Sequence, residues 1–352
     1  MKFKQPGLQT PASVIVTVLL SACSLAPNSI DSSQSQQPSN PNPIENSNSD
    51  NSQSKPTESS TQPEHKNCAT SPIKASTSLD IDYQNTVDVD RNLQSLDIYM
   101  PDIKDPCAGI PVVVWVHGGG WMIGDKSQIG FKAKHFNFLG YGFVSINYRL
   151  SPNLLVNTES SPSRIKFPDH PNDVGAALGW IHKNIMRYGG NPNNIALLGH
   201  SAGAHLAALV ALDQSYISAP HPSWSGEALR CVGSYDTEAY NVTTAIESAA
   251  GQQLALYRNA FGFDPEQLTK ASPLSHVKEL NLPFQLALRG DAQRQATLQE
   301  FKSALEGKKN KTEVINAQSL SHEEVNRAIG SPDDQIMTPA ITEFLRTTCF
   351  AQ

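Results

Sequence analysis

Apolar residues recur along this chain with two periods. Short apolar-rich runs lie at Leu96–Met100, Ile110–Val116, Tyr141–Tyr148, Asn194–Leu198, Leu229–Ser234, Leu282–Leu288 and Lys311–Asn316. Several of them carry apolar residues at consecutive positions, which predicts strands buried on both faces. Between them the spacing becomes helical. Val174, Ala177, Leu178, Ile181 and Ile185 share one face of a helix over about Asn172–Met186, with Asp173 expected to cap it. Ala202–Leu209 and the Leu298, Phe301, Leu305 series read as two more helices. Strands alternating with helices predict an α/β fold, a mostly parallel central sheet with helices on both faces. A partly helical insertion is expected over Asp236–Leu280, with Tyr235, Tyr240, Tyr257 and Phe261 either in the core or lining a pocket.

The first 66 residues follow neither period. Lys2 and Lys4 precede an apolar stretch from Ala12 to Leu20 that closes on Leu20-Ser21-Ala22-Cys23. A basic start, a short apolar core and small residues before a cysteine resemble the lipobox of a bacterial lipoprotein signal. The stretch is too short to cross a bilayer, which takes about 20 apolar residues. Cleavage before Cys23 would leave that cysteine lipidated, and two or three acyl chains anchor stably. Ser24 at the next position favours the outer membrane of the cell envelope, facing the periplasm or the cell surface. From Ser24 to about Lys66 the chain turns to Ser, Asn, Gln and Pro, which bury little apolar surface and predict a disordered tether. Three segments result: a signal peptide over 1–22, a lipidated cysteine and tether over 23–66, and one catalytic domain over 67–352.

Chemistry concentrates after two of the predicted strands. Ile110–Val116 runs into His117-Gly118-Gly119-Gly120-Trp121, and Asn194–Leu198 runs into Gly199-His200-Ser201-Ala202-Gly203. The second is a G-x-S-x-G nucleophile elbow, in which a serine sits on a tight strand-to-helix turn and its neighbours two positions away must be small. The first is the H-G-G-G type of loop, whose glycines let backbone amides face a ligand. The amides of Gly119, Gly120 and Ala202 are the candidate oxyanion hole. The glycine loop lacks the Lys-Ser/Thr of a phosphate-binding P-loop. A serine nucleophile needs a base and the base an orienter, in the chain order Ser, acid, His. The strand Leu282–Leu288 ends in Arg289-Gly290-Asp291, and Ser321-His322 follows the last predicted strand. The candidate catalytic set is therefore Ser201, Asp291 and His322, with His322 in a loop. His117 and His200 fall inside the motifs and are expected to serve turn geometry, His182 lies mid-helix, and His276 precedes the acid.

These stretches resemble the esterase branch of the α/β-hydrolase superfamily, which includes hormone-sensitive-lipase-like carboxylesterases, feruloyl-esterase-like enzymes and arylformamidases. The likeness rests on His117–Trp121 with Gly124-Asp125-Lys126, on Asn147-Tyr148-Arg149-Leu150, on Gly199–His205, and on the His322 segment with Phe344-Leu345. It spans most of residues 78–348. It implies an α/β-hydrolase fold and hydrolysis of small esters through an acyl-serine intermediate, without a cofactor. An arylformamidase-like amide hydrolase uses the same triad, and a catalytically silent surface-binding lipoprotein is the reading from outside enzymes. The family usually sets its acid three residues beyond the strand-ending glycine, whereas Asp291 follows Gly290 directly.

Charge and cysteines narrow the setting. The net charge is −6, and no basic run offers a nucleic-acid surface. No C-x-x-C occurs and no metal site is expected. Besides Cys23, the chain has Cys68, Cys107, Cys231 and Cys349. In an oxidising envelope these permit two disulfides in any of three connectivities. The position of Cys68 and Cys349 at the two ends of the domain favours that pair together with Cys107–Cys231.

Overall fold

Alternation of buried side chains along the central strands decides the architecture. In a computed structural model, which describes residue 72 and residues 74–104, 109–152 and 164–351, Val112, Val114 and Val116 point into one hydrophobic layer. Val113 and Trp115 point into another. Both faces of the sheet are thus covered, as the continuous apolar runs require. The described residues all fall within one compact unit, Gln62–Gln352. The expected signal peptide, lipidated Cys23 and tether lie outside the described residues.

The strands are β1 (Ser76–Asp82), β2 (Ser95–Met100), β3 (Ile110–Val116), β4 (Gly142–Ile146), β5 (Gly190–His200), β6 (Leu229–Tyr235), β7 (Phe284–Leu288) and β8 (Thr312–Asn316). They form one eight-stranded sheet in the order β1-β2-β4-β3-β5-β6-β7-β8. β1 and β2 pair antiparallel to their neighbours, and every pair from β4 to β8 is parallel. The mostly parallel sheet expected from the alternation is present.

The helices are α1 (Lys132–Phe138), α2 (Asp169–Asn184), α3 (Ala202–Leu212), α4 (Ser215–Ser218), α5 (Val242–Ser248), α6 (Gly251–Phe261), α7 (Pro265–Ala271), α8 (Ala292–Gly307), α9 (His322–Ala328) and α10 (Met337–Phe344). Buried residues of α2, α3 and α8 cover one face of the sheet, and those of α1, α9 and α10 cover the other. Helix α3 is buried along its whole length, which explains its run of Ala and Leu without an exposed polar stripe. The insertion contains α5, α6 and α7. Tyr235, Tyr240, Tyr257 and Phe261 are all buried core residues.

Two expectations change here. Asp173 does not cap α2, whose N-cap position is Pro168. It is fully buried and accepts from the backbone N, Nε and Nη2 of Arg149 and from Gln94 Nε2. A carboxylate one turn into a helix that faces the sheet can remain charged only with such partners. The cysteine pairing also differs. Cys231 on β6 bonds Cys349 beyond α10, with Cα atoms 5.3 Å apart. Both side chains belong to the layer covered by α10, so the sheet face on which Cys231 points chooses its partner. Cys68 and Cys107 lie outside the described residues.

Candidate active site

Strand β5 ends at His200 and α3 begins at Ala202, which leaves Ser201 alone on the turn. Its backbone adopts φ 57° and ψ −122°. Such a conformation costs a non-glycine residue on the order of 1–3 kcal/mol and persists only where its surroundings fix it. They fix it by close approach. A Cβ on Gly199 would lie 2.3 Å from the Gly203 carbonyl oxygen, and one on Gly203 would lie 2.1 Å from the Val116 oxygen. The Ser201 amide donates to the Tyr235 carbonyl at 3.0 Å, tying the turn to β6. Ala202 opens α3, so its amide is among those a helix leaves unpaired.

The glycine loop after β3 presses against this turn. A Cβ on Gly118 would come within 3.1 Å of the Ser201 Cβ. Gly119 and Gly120 take φ of 111° and 59°, and Trp121 follows at 57°. The Gly119 carbonyl accepts from the Met122 and Ile123 amides, so that oxygen is engaged within the loop itself. Leu256 of α6 sits over Gly120, where a Cβ would meet its side chain at 2.8 Å. The insertion therefore supplies an apolar wall above this glycine loop. Trp121 Nε1 donates to His205 Nδ1 at 3.3 Å, and His205 Nε2 donates to the Ala271 carbonyl at 2.8 Å. Loop, elbow helix and insertion are linked through these two side chains.

The remaining stretches that carried the family likeness support this loop. Asn147 takes the Lys126 amide at 2.6 Å and donates to Asp125 at 3.0 Å. Tyr148 donates its hydroxyl to the His117 carbonyl at 3.1 Å and stacks on the His117 ring. Lys126, buried, pairs with Asp97 at 2.9 Å. Both motif histidines were expected to serve turn geometry; His117 bonds within its own loop, whereas His200 reaches across to another element. His117 donates from Nδ1 to the Gly118 carbonyl at 2.7 Å, and His200 donates from Nε2 to the His322 carbonyl at 2.9 Å. Burial, followed by the nearby His322 ring, pushes His200 down to about 3. It therefore stays neutral at ordinary pH and fixes the backbone of His322 without adding charge.

His322 is the first residue of α9 rather than a loop residue. Ser321 caps that helix, and its hydroxyl and the Glu324 carboxylate form a reciprocal capping box. Behind α9, the buried Lys132 donates to the Asn326 carbonyl at 2.9 Å, and burial pushes its ammonium down to about 7. The imidazole points into the site. Its Nε2 lies 2.9 Å from Ser201 Oγ, and its Nδ1 lies 2.6 Å from a carboxylate oxygen.

That carboxylate belongs to Asp236 and not to Asp291. Asp236 directly follows β6, at φ 60°, and β6 is the immediate neighbour of β5 in the sheet. A residue ending β6 therefore emerges one strand from Ser201. β7 lies one strand farther away. Asp291 follows Gly290, which turns the chain at φ 87° straight into α8. Its side chain bends back to accept from the Arg294 amide at 3.0 Å, and so caps α8. It lines a polar cleft of about 270 Å³ with Glu238, Gln253, Gln293 and Arg294, to which neither Ser201 nor His322 contributes. The overlooked signal for Asp236 was a carboxylate immediately after the apolar run Leu229–Tyr235, already placed between serine and histidine in chain order.

Asp236 has three donors. Besides His322, Arg289 Nε reaches Oδ2 and Arg294 Nη2 reaches Oδ1, each at 2.5 Å. Burial alone would raise this acid. The hydrogen bond from His322 and the charge of Arg294 outweigh it and hold the carboxyl below the usual carboxylate range. His200, Asp236 and His322 also offer ligand atoms within 4.8 Å of one another. The two guanidiniums already compensate Asp236, so the site's charge balance does not favour a cation.

Comparison with known proteins bears on the family and the fold. The profile of a family described as BD-FAE matches residues 96–303. Esterase LipQ of Mycobacterium tuberculosis is 34% identical over 198 residues, which cover 54% of this chain and 44% of that protein. The probable carboxylic ester hydrolase LipM of the same organism is 40% identical over 118 residues, covering 33% and 25%. This chain thus spans about half or less of the length of these curated relatives. Among solved structures, esterase B from Lactobacillus rhamnosis superposes with a TM-score of 0.60 at 22% identity, over 79% of this chain and 86% of that one. The likeness shows an α/β-hydrolase fold.

Proposed function

The chain belongs to the BD-FAE family, and from that premise we propose that it is a serine hydrolase of carboxylic esters. The observation that carries this is the continuous relay Ser201 Oγ, His322 Nε2, His322 Nδ1, Asp236 beside a glycine loop folded against the serine. Asp236 holds the imidazole in the tautomer with its proton on Nδ1, so Nε2 accepts from the serine. As Ser201 Oγ attacks the ester carbonyl carbon, its proton passes to Nε2. The carbonyl oxygen takes up the negative charge and faces the amides of Gly119, Gly120 and Ala202. Loss of one such donor typically costs about 2.7–4 kcal/mol of transition-state stabilisation. Collapse expels the alcohol, which takes the proton from Nε2 and leaves an acyl-serine. Water, deprotonated by His322, then attacks the acyl carbon, and the carboxylic acid and free serine are released.

Purified protein is expected to hydrolyse short-chain p-nitrophenyl esters. Ser201→Ala should lower kcat by about 10⁴-fold or more with an unchanged circular dichroism spectrum. A folded Ser201→Ala protein that keeps more than a few per cent of the activity would exclude Ser201 as the nucleophile.

We further propose that the mature protein is anchored in the cell envelope by lipid on Cys23, on the strength of Leu20-Ser21-Ala22-Cys23 after the short apolar stretch. No helix among the described residues is long and apolar enough to cross a membrane.

A further inference from the structure

Three side chains converge on the buried carboxylate of Asp236, although a catalytic triad requires only the imidazole. The other two are guanidiniums from separate elements. Arg289 directly follows β7, and Arg294 lies in the first turn of α8. Both are themselves largely buried, with side chains 17% and 21% exposed. Arg294 also pairs with Glu238, which accepts from Gln253 and Tyr257 of α6. Its path is built into the backbone. Asp291 caps α8 through the Arg294 amide, and a Cβ on Gly290 would meet Arg294 Cδ at 2.3 Å. Asp291 and Gly290 thus deliver the arginine to the carboxylate.

We propose that Arg289 and Arg294 are positioning residues for catalysis, which fix the Asp236 carboxylate toward His322 and weaken its attraction for the imidazolium. This rests on the serine-hydrolase assignment above. The physical reason is twofold. Asp236 follows its strand with a positive φ, and the bonds from Arg289 to Oδ2 and Arg294 to Oδ1 prevent the carboxylate from rotating away. Charge is the second part. A single buried carboxylate beside His322 would strongly favour its protonated form, which cannot accept the serine proton. Two cations on the far side of that carboxylate offset its charge where it meets His322. The other groups facing the pair do not supply this charge. His200 from β5 is neutral, and Lys132 from α1 acts on His200 and donates to the Asn326 carbonyl. Glu238, beyond Arg294, carries the opposite sign. Glu323, Glu324 and Arg327, on the helix of His322 itself, are exposed.

The test is the pH profile of kcat/KM for p-nitrophenyl acetate with wild type, Arg289→Gln, Arg294→Gln and Arg294→Lys. Removing one cation should move the acidic limb upward by about one pH unit. Well below the limb activity should fall by up to about tenfold, the most that one pH unit can produce; KM should change less than twofold, and activity should recover above the displaced limb. Arg294→Lys should return the limb most of the way. An unmoved or downward-moved limb in the glutamine variants overturns the proposal, as does a uniform loss of activity that tracks a lower Tm. If one glutamine variant does not fold, the other reads the same limb. A wild type without esterase activity, or an active Ser201→Ala protein, would instead defeat the parent assignment.

Discussion

Asp236→Asn and Asp291→Asn distinguish two tasks a carboxylate can have at the end of a parallel strand. Asp236 is buried and accepts from His322 Nδ1. The amide of Asn would favour the wrong imidazole tautomer, a change that costs about 10⁴ in kcat where such an acid has been replaced in a serine protease. A loss of at least about a hundredfold is expected here, partly restored at high pH. Asp291 is exposed and accepts from a helix amide. Asn caps helices about as well as Asp, so Asp291→Asn should stay within about twofold of wild-type kcat and within about 0.5 kcal/mol in stability. Steady-state kinetics and urea unfolding of both variants check this. Loss of activity in Asp291→Asn, with Asp236→Asn unaffected, would reverse the two roles.

At the scale of elements, the site is set by how closely α3 approaches β3. Gly203 lies in the first turn of α3, directly over the Val116 and His117 carbonyls. Gly203→Ala places a methyl 2.1 Å from the Val116 oxygen, and because that atom is backbone it cannot rotate aside. Overpacking of this kind costs about 1–3 kcal/mol, or several degrees in Tm for a domain of this size, at about 2–4 °C per kcal/mol. Activity should fall more than stability. Moving α3 off β3 carries Ser201 away from both Gly118 and His322, and a misplacement of about 1 Å can cost on the order of a hundredfold. Thermal unfolding and kcat of Gly203→Ala together test this, and wild-type values for both would show that the close approach is not required. The same contacts explain why the two glycine motifs are one device. Gly118 abuts Ser201, Trp121 bonds His205 on α3, and His205 bonds the end of α7.

For the whole molecule, the Cys231–Cys349 bond joins β6, whose end carries Asp236, to the segment after α10. It closes a loop across 118 residues that contains the insertion, both arginines and His322. A disulfide suits the oxidising envelope that the N-terminal signal predicts. The proposed lipid anchor is tested on protein isolated from its native host. Mass spectrometry of the mature N-terminus should find a diacyl- or triacyl-modified Cys23. An unmodified terminus at any other residue would refute lipid anchoring at Cys23.

Much of this site is legible along the chain because its constraints are local. Gly199 answers a clash with the Gly203 carbonyl within five residues, and the apolar runs answer burial on both sheet faces. The glycine loop announces its own turn. Ser201, His322 and the amides of Gly119, Gly120 and Ala202 are therefore legible as candidates without coordinates, and the structure places His322 Nε2 2.9 Å from Ser201 Oγ. The carboxylate that meets His322 is not legible in the same way. Two carboxylates end strands between the serine and the histidine, and Asp236 meets an imidazole 86 residues away. Only strand order, with β6 beside β5 and β7 beyond it, decides between them. Asp173 and Cys231 follow the same rule, since the side of the helix or sheet on which each points selects its partner. Sequence determined the local turns and the period of burial. Tertiary structure decided which distant side chains share the space those turns create, because that depends on strand order and facing, which no local pattern encodes.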